Sequence, residues 1–334
     1  MHRDLKLFFH PKSIAVIGAS RSPKKVGAII LKNVITSKFS GKIYPVNPKA
    51  KILGKLPCYK DIPSLPITPD LAVIATPAPL VISTLKELGE KGTKNVVVIA
   101  AGFKEAGEEG AKLEKDLIEV SKKYNLNLLG PNCLGFVNNL CPINATFGEL
   151  AGAAGNLRFV TQSGAIAASL FDWCQSIGLG FNEFATLGNK AILNENDILR
   201  YFLDQKKIKS KKIPPGLSQT SPIGLYLESI SDGGEFLRLT SQISKNDPIF
   251  IIKPGKTVAA AKAMMSHTGA LAGEDDVLGA VLNQAGVIRC QTLEDFFDLA
   301  RALSWENAPD GSKVAVISNA GGPAVISADA VMTE

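Results

Sequence analysis

The sequence contains little histidine and none of the cysteine patterns that mark a disulfide framework or a zinc site. Only three of its 334 residues are histidine, and its five cysteines are odd in number and show no CxxC spacing. Disulfides belong to oxidising compartments, and zinc sites need closely spaced cysteine or histidine ligands. This usage favours a reduced, cytoplasmic protein and predicts no metal site in the chain.

Long apolar runs are missing as well. No segment reaches the length of a membrane-spanning helix, and the start of the chain lacks the apolar core of a signal peptide. Residues 206–222 hold five lysines within seven positions, but no arginine or aromatic residue accompanies them. The lysine cluster therefore predicts a solvated loop, and the sequence predicts neither a membrane partner nor a nucleic-acid partner.

What the sequence does contain is an alternation of short apolar runs and amphipathic segments. The first run, Ile14 to Ile17, ends at a glycine turn, and a charged amphipathic segment covers Glu108 to Tyr124. The other runs of this series lie at residues 43–46, 71–75, 95–100 and 126–129. Short apolar strands joined by helices predict an α/β fold, in which helices cover both faces of a parallel sheet.

The alternation starts three times, which divides the chain into three units. Residues 131–157 read as a loop, a strand resumes at Phe159, and the apolar run Val314 to Ile317 predicts the opening strand of another unit. The predicted units are residues 1–135, 136–308 and 309–334. The last is too short for a doubly wound domain, so we expect the chain to be part of a longer protein that ends here within its third domain.

The first glycine turn, Gly18 to Gly27, is a predicted anion site. It follows a strand and opens a helix, where free backbone N–H groups and the helix dipole attract negative charge. It does not match GxGxxG, and the end of the second strand lacks the carboxylate that would hold a ribose. The basic residues around it are Arg21, Lys24, Lys25 and Lys49. They favour a ligand with additional phosphate, such as coenzyme A or NADP.

Three further features point to one edge of the second sheet. The turn Gln162 to Ala165 again opens a helix after a strand, so it is a candidate site for inorganic phosphate. Glu228 ends the strand that begins at Ile223, and His267 lies in a glycine-punctuated loop of small residues at 266–273. A carboxylate that accepts the Nδ1–H of an imidazole fixes its tautomer and stabilises a cationic or phosphorylated ring.

The motifs together resemble the α subunit of the nucleoside-diphosphate-forming acyl-CoA synthetases. This family includes ADP-forming acetyl-CoA synthetase and, more distantly, succinyl-CoA synthetase. The resemblance covers nearly the whole chain from about Phe8. The matching motifs are FFHPKSIAVIGAS, YPVNPK, ATPAP, GPNCLGFVN, TQSGAIA, YLESI and KPGKT with SHTGALAG.

The resemblance implies a fold and a reaction. The fold is a Rossmann-like CoA-binding domain, then a flavodoxin-like ligase domain, then the start of a third α/β domain. The reaction interconverts acyl-CoA, phosphate and ADP with the free acid, CoA and ATP, through an acyl phosphate and a phosphohistidine. A loop rich in glycine and alanine gives that histidine the freedom to move between two sites.

Site residues carry over from the family by position. His267 corresponds to the phosphorylated nucleophile and Glu228 to its orienting carboxylate, and the phosphoryl group would lie at Ser163, Gly164 and Ala165. Coenzyme A would lie along Gly18, Ala19, Ser20, Ser22, Lys24, Pro45, Asn47, Lys49, Thr76 and Pro77. Asn132 and Cys133 would lie close to the thioester, and a packing role for Cys133 is as plausible as a catalytic one.

The nucleotide site is not recognisable in this chain, which has no GxxxxGK[ST] motif. In the family, ADP or ATP with Mg is bound by an ATP-grasp β subunit or a fused ATP-grasp domain, so we expect such a partner in addition to a small-molecule acyl substrate. The lysine-rich segment is longer than the connection expected at this place in the family, so it would affect contacts with the ATP-grasp partner. Two alternatives are a non-catalytic acyl-CoA-sensing module and an NAD(P)-dependent oxidoreductase. The intact SHTGALAG loop disfavours the first, and the missing ribose-binding carboxylate disfavours the second.

Overall fold

A computed structural model gives the fold for most of the chain. It describes residues 3–148, 154–205, 220–257, 260, 275–305, 311 and 313–333. The predicted phosphohistidine loop with His267 lies outside these residues, and so do residues 206–219 of the lysine-rich segment. No helix among the described residues is long and apolar enough to cross a membrane.

The N-terminal region forms a parallel five-stranded sheet in the order β2-β1-β5-β6-β7, and β3 and β4 form a small antiparallel pair. Its strands are β1 (Ser13–Ile17), β2 (Lys42–Val46), β3 (Ile52–Leu53), β4 (Leu56–Pro57), β5 (Leu71–Ile74), β6 (Asn95–Val98) and β7 (Asn127–Leu129). Its helices are α1 (Lys6–Phe9), α2 (Val26–Thr36), α3 (Ala78–Lys91) and α4 (Glu108–Tyr124). Strands β1, β5 and β6 are buried along their whole length, which explains why every residue after the opening Ser13 of β1 and Asn95 of β6 is apolar.

The C-terminal region forms a seven-stranded sheet in the order β14-β13-β12-β10-β11-β8-β9. Its strands are β8 (Phe136–Asn138), β9 (Ile143–Asn144), β10 (Ala154–Thr161), β11 (Phe181–Thr186), β12 (Ile223–Tyr226), β13 (Ile249–Ile252) and β14 (Val287–Arg289). Its helices are α5 (Gly164–Ile177), α6 (Glu195–Gln205), α7 (Gly233–Ile243), α8 (Asp275–Ala285) and α9 (Leu293–Trp305), and α10 (Gly321–Thr333) follows. The chain is thus α/β, with a Rossmann-like sheet followed by a flavodoxin-like sheet.

In both sheets the order in which the parallel strands are added reverses next to the first parallel strand, β1 in one sheet and β10 in the other. In the first, the chain adds β2 on one side of β1 and β5 on the other; in the second, it adds β11 on one side of β10 and β12 on the other. The connections after the central strand therefore leave in opposite directions. A crevice opens there at the carboxyl ends of the strands, which is where ligands bind in such sheets.

Two predictions of secondary structure were wrong. Residues 131–157 contain β8, which pairs antiparallel with β11, and the short β9 beside it. Strands of two or three residues are too short to show a period. The predicted strand Val314 to Ile317 has no regular structure, and Ile317 is 97% exposed. A strand needs neighbours to satisfy its backbone, and no neighbouring strand pairs with this segment among the described residues.

The N-terminal segment packs into the junction between the two sheets. Phe8 and Phe9 are almost fully buried, and their rings lie 5.4 and 5.2 Å from that of Phe136 on β8. His10 shares a hydrogen bond of 2.9 Å with the hydroxyl of Tyr201 on α6. Apolar residues of both sheets belong to one continuous core that includes these side chains. This shared core holds the two carboxyl edges against a common cleft.

Candidate functional site

The carboxyl edges of both sheets open into one cleft of about 1440 Å³. The loops after β1, β5, β10, β11 and β12 contribute to it, so the two topological switch points face each other. The predicted site residues that line it are Gly18, Ser20, Asn47, Thr76, Pro77, Asn132, Cys133, Ser163, Gly164, Ala165 and Glu228. The structure therefore brings together residues that are more than 200 positions apart in sequence.

Five further predicted residues that the structure describes do not line the cleft. Ala19 and Pro45 are buried beneath the first turn and in β2, where their side chains pack in the interior. Ser22, Lys24 and Lys49 are exposed. His267 lies outside the described residues. The structure describes the walls of the cleft but not the loop that carries the predicted nucleophile.

The first glycine turn is closed by tight packing between strand and helix. Gly18 has a φ of +83°, and a Cβ on Gly27 would lie 2.0 Å from the carbonyl oxygen of Gly18. The Asn47 amide donates to the carbonyl of Ala19 at 2.5 Å, so the loop after β2 supports the turn. Lys25, at the N-cap of α2, makes no capping hydrogen bond with its side chain. The start of this helix is a suitable site for an anionic group.

The second turn is capped but sterically open. Ser163 Oγ accepts from the backbone N–H of Ile166 at 3.3 Å, which caps α5. Gly164 and Ala165 are exposed to the cleft, and among the described residues a Cβ on Gly164 would touch only the Leu134 side chain, at 3.8 Å. A tetrahedral anion fits at such a helix start, because the N–H groups of the first turn point toward it.

Glu228 enters the cleft from the neighbouring strand and is only 9% exposed. The backbone N–H groups of Glu228 and Ser229 both donate to Gln162 Oε1, at 2.7 and 2.9 Å. Gln162 belongs to the second turn, so these bonds join the phosphate turn to the predicted orienting carboxylate. Burial raises the pKa of Tyr226, and the negative charge of Glu228 raises it further.

Lys190 is a cleft residue that the sequence analysis missed. Its side chain is 6% exposed, and its ammonium donates to Glu195 Oε2 and to the carbonyl of Ser229, each at 2.8 Å. Burial lowers the pKa of Lys190, while the carboxylates of Glu195 and Glu228 act in the opposite direction. The five-residue spacing between Lys190 and Glu195 matches neither a helix face nor a strand face, so no periodic signal marks the pair.

Cys133 and Asn132, which the sequence places close to the thioester, have different surroundings in the structure. Burial raises the pKa of Cys133 to about 12, and its thiol donates to the carbonyl of Val98 at 3.4 Å. A neutral thiol is a poor nucleophile, so the geometry favours packing for Cys133. Asn132 is exposed, and its left-handed backbone, with a φ of +58°, turns it toward the cleft.

A polar network at the base of the cleft joins the two sheets and was also missed. The Asn189 amide donates to Glu105 Oε2 at 2.6 Å and to Glu114 Oε2 at 2.7 Å. The Lys104 ammonium donates to the backbone carbonyl of Asn189 at 2.7 Å. These contacts link the loop after β11 to the start of α4. Across the described ranges, no three His, Cys, Asp or Glu side chains cluster in a way that would hold a metal ion.

Comparisons with known proteins match each of the two sheet regions to a family model. A model of the CoA binding domain matches residues 12–139, and a model of the succinyl-CoA ligase like flavodoxin domain matches residues 154–303. The ADP-forming acetate–CoA ligase I subunit alpha of Pyrococcus furiosus is 41% identical over an alignment of 335 positions, which covers 99% of this chain and 70% of that subunit.

Two further relatives are longer than this chain, which spans only part of their length. The ADP-forming acetate–CoA ligase I of Archaeoglobus fulgidus is 41% identical over 98% of this chain, but this chain spans only 45% of its length. The dinucleotide-forming acetyl-coenzyme A synthetase 1 of Ca. Korarchaeum cryptofilum, solved in complex with phosphate and ADP, matches with a TM-score of 0.91 and 36% identity. That match covers 99% of this chain and 68% of the other.

Proposed function

Since the chain belongs to the family of ADP-forming acetate–CoA ligase α subunits, we propose that it carries the CoA-binding and acyl-phosphate half of such a ligase. The supporting observation is that residues of both glycine turns, which we predict to bind CoA and phosphate, line one cleft. Phosphate and a thioester react efficiently only if both are held next to each other in one site. A cleft that joins the two turns meets this requirement.

The proposed reaction has two steps on this chain. A phosphate oxygen attacks the thioester carbonyl, the C–S bond breaks, and CoA leaves as a thiolate, so that an acyl phosphate forms. A ring nitrogen of His267 then attacks phosphorus, the P–O bond to the acyl group breaks, and the free carboxylate leaves. The phosphohistidine passes its phosphoryl group to ADP. Each step exchanges one bond for another and needs no redox partner.

The described residues have separate tasks in these steps. The start of α5, at Ser163, Gly164 and Ala165, would hold the phosphate in place. CoA would lie along the first turn, with its thioester near Asn132. Glu228 would orient the imidazole of His267 and stabilise its positive charge in the transition state. Buried Cys133 would form part of the wall beneath the thioester.

The rest of the enzyme would come from an ATP-grasp β subunit or a fused ATP-grasp domain. That partner would hold ADP or ATP with Mg, and it would receive the phosphoryl group from His267. The first two units, residues 1–135 and 136–308, would then act as CoA and phosphohistidine domains, and residues 309–334 would begin the third. We propose a cytoplasmic location, in agreement with five cysteines that are all free.

The test combines an overall reaction with a binding measurement. With an ATP-grasp partner and Mg-ATP, the chain should form acyl-CoA from CoA and a small carboxylic acid. His267→Ala should abolish turnover and leave the Kd for CoA unchanged. A wild-type protein that binds CoA but forms no phosphohistidine and no thioester would contradict the proposal and favour a CoA-sensing role.

A further inference from the structure

The turn after β12, residues Glu228 to Ser231 and here called the Glu228 turn, is held from three directions. Gln162 accepts from the backbone N–H groups at its start, and Lys190 donates to the carbonyl of Ser229 at 2.8 Å. Glu195 Oε1 accepts from the N–H of Ser231 at 2.5 Å. Every bond of this set is made between a side chain and the backbone, so the set fixes the path of the turn itself.

Lys190 and Glu195 form one unit that supports the turn from the second sheet. Glu195 is fully buried, Lys190 nearly so, and the two charges are 2.8 Å apart. The Lys190 backbone is left-handed, with a φ of +55°, which is uncommon for a side chain of this kind. A buried charge pair and a strained backbone both cost free energy, and they persist only where the surrounding structure compensates for that cost.

We propose that Lys190 is a positioning residue that, together with Glu195, holds Glu228 where it orients the His267 imidazole. This inference depends on the proposed function, since it assigns Lys190 a part in the same phosphoryl transfer. Lys190 lines the cleft, yet its hydrogen bonds go to Glu195 and to the turn that bears Glu228. It acts on the reaction through Glu228, because the carboxylate follows the backbone that Lys190 holds.

A double-mutant cycle separates positioning from a general effect on the fold. The variants are Lys190→Met, Glu228→Gln and their combination. The rate to measure is the phosphorylation of His267 by acetyl-CoA and radiolabelled phosphate in a single turnover, and the Kd for CoA is measured beside it. Lys190→Met should slow phosphorylation by roughly 10- to 100-fold, the loss expected when a catalytic group shifts by about 1 Å. The Kd for CoA should change less than about twofold.

The combination carries the decisive result. If Lys190 acts through Glu228, Lys190→Met should cause less than about a twofold further loss in a protein that already has Glu228→Gln. Lys91→Met is the matched control, because Lys91 also donates to a backbone carbonyl, that of Leu65 at 2.9 Å, but lies outside the cleft. Its phosphorylation rate should equal that of the wild type.

Other outcomes would overturn the inference. A wild-type rate in Lys190→Met, or equal losses in both backgrounds, would show that Lys190 does not act through Glu228. Lys190→Met alone leaves the buried Glu195 carboxylate without its cation, which could unfold the protein. The double variant Lys190→Met/Glu195→Gln also removes that carboxylate, so the same rates can be measured in it if the single variant unfolds. If both lack a melting transition, the pair serves folding, and the inference fails. A wild-type protein that is never phosphorylated contradicts the proposed function instead.

Discussion

The two glycine turns share one topology but present different surroundings to the cleft. The first, at Gly18, is closed by packing against Gly27, and its nearby basic residues Arg21, Lys24 and Lys49 are exposed. The second, at Ser163, is open at Gly164 and lies beside buried charged groups in the loops after the two neighbouring strands, β11 and β12. The same strand-turn-helix unit is therefore surrounded by solvent-exposed charged side chains at the first turn and by buried charged side chains at the second.

The difference separates binding from chemistry. Exposed lysines attract a phosphorylated ligand over some distance, but water and salt screen them, so they place no atom accurately. The Glu228 carboxylate and the hydrogen-bonded Lys190 ammonium are buried, so they act where the dielectric constant is low, and the hydrogen bonds of Lys190 and of the Glu228 backbone set their positions before the ligand arrives. We expect changes near the first turn to alter binding or stability, and changes near the second to alter rates.

Glu228→Gln should have the largest effect. It keeps the shape of the side chain but removes the charge that stabilises a cationic or phosphorylated imidazole, so His267 phosphorylation should slow about 100-fold or more. The Kd for CoA should stay the same. Glu235→Gln is the matched control, since Glu235 on α7 pairs with Arg238 on the same helix and with Arg200 on α6, and it lies outside the cleft. A fall in both variants would contradict a specific role for Glu228.

The next largest effect is expected on stability, when a glycine of each turn is replaced by alanine. Gly27→Ala would place a methyl group 2.0 Å from the Gly18 carbonyl, so it should lower the free energy of unfolding by about 1–3 kcal/mol and weaken CoA binding. Gly164→Ala has open space and should change stability by at most about 1 kcal/mol. Urea unfolding of both variants checks this. Equal losses would show that the two turns are packed alike.

Cys133→Ala should have a smaller effect, and on stability rather than rate. Its pKa of about 12 keeps the thiol protonated near neutral pH, so the side chain supplies packing and not a thiolate. We expect a loss of about 1 kcal/mol in unfolding free energy and phosphorylation near the wild-type rate. A variant that folds normally but is not phosphorylated would assign Cys133 to the chemistry.

The smallest effect concerns acid stability away from the cleft. The hydrogen bond from Arg238, at 2.7 Å, and the nearby Arg200 hold the pKa of Glu235 at about 2, below its usual 4.5. A depressed carboxyl pKa stabilises the fold at pH values above 4.5, and this contribution disappears as the pH falls toward about 2. Denaturant unfolding at several pH values should show a shallower acid loss for Glu235→Gln than for the wild type. Identical slopes would contradict the assignment.

The features that could be predicted from the sequence are those that follow from hydrophobic periodicity or from the ends of strands. Buried strands such as β13 appear as unbroken apolar runs, and Ser163 and Glu228 follow strands directly, so their common edge could be inferred. Gln162, Lys190 and Asn189 act through side-chain bonds between loops, which leave no repeating pattern. Strand β9 has only two residues, and the run at Val314 reads as a strand although nothing pairs with it here.

The most direct test of a shared cleft follows one oxygen atom. If phosphate attacks the thioester, its attacking oxygen stays with the acyl group when His267 takes the phosphoryl group. Incubating the chain with acetyl-CoA and phosphate labelled with heavy oxygen should therefore release acetate that carries one labelled oxygen, one molecule for each CoA and each phosphohistidine formed. Mass spectrometry of the acetate gives the answer. Unlabelled acetate would mean that water cleaves the thioester, and it would contradict the account.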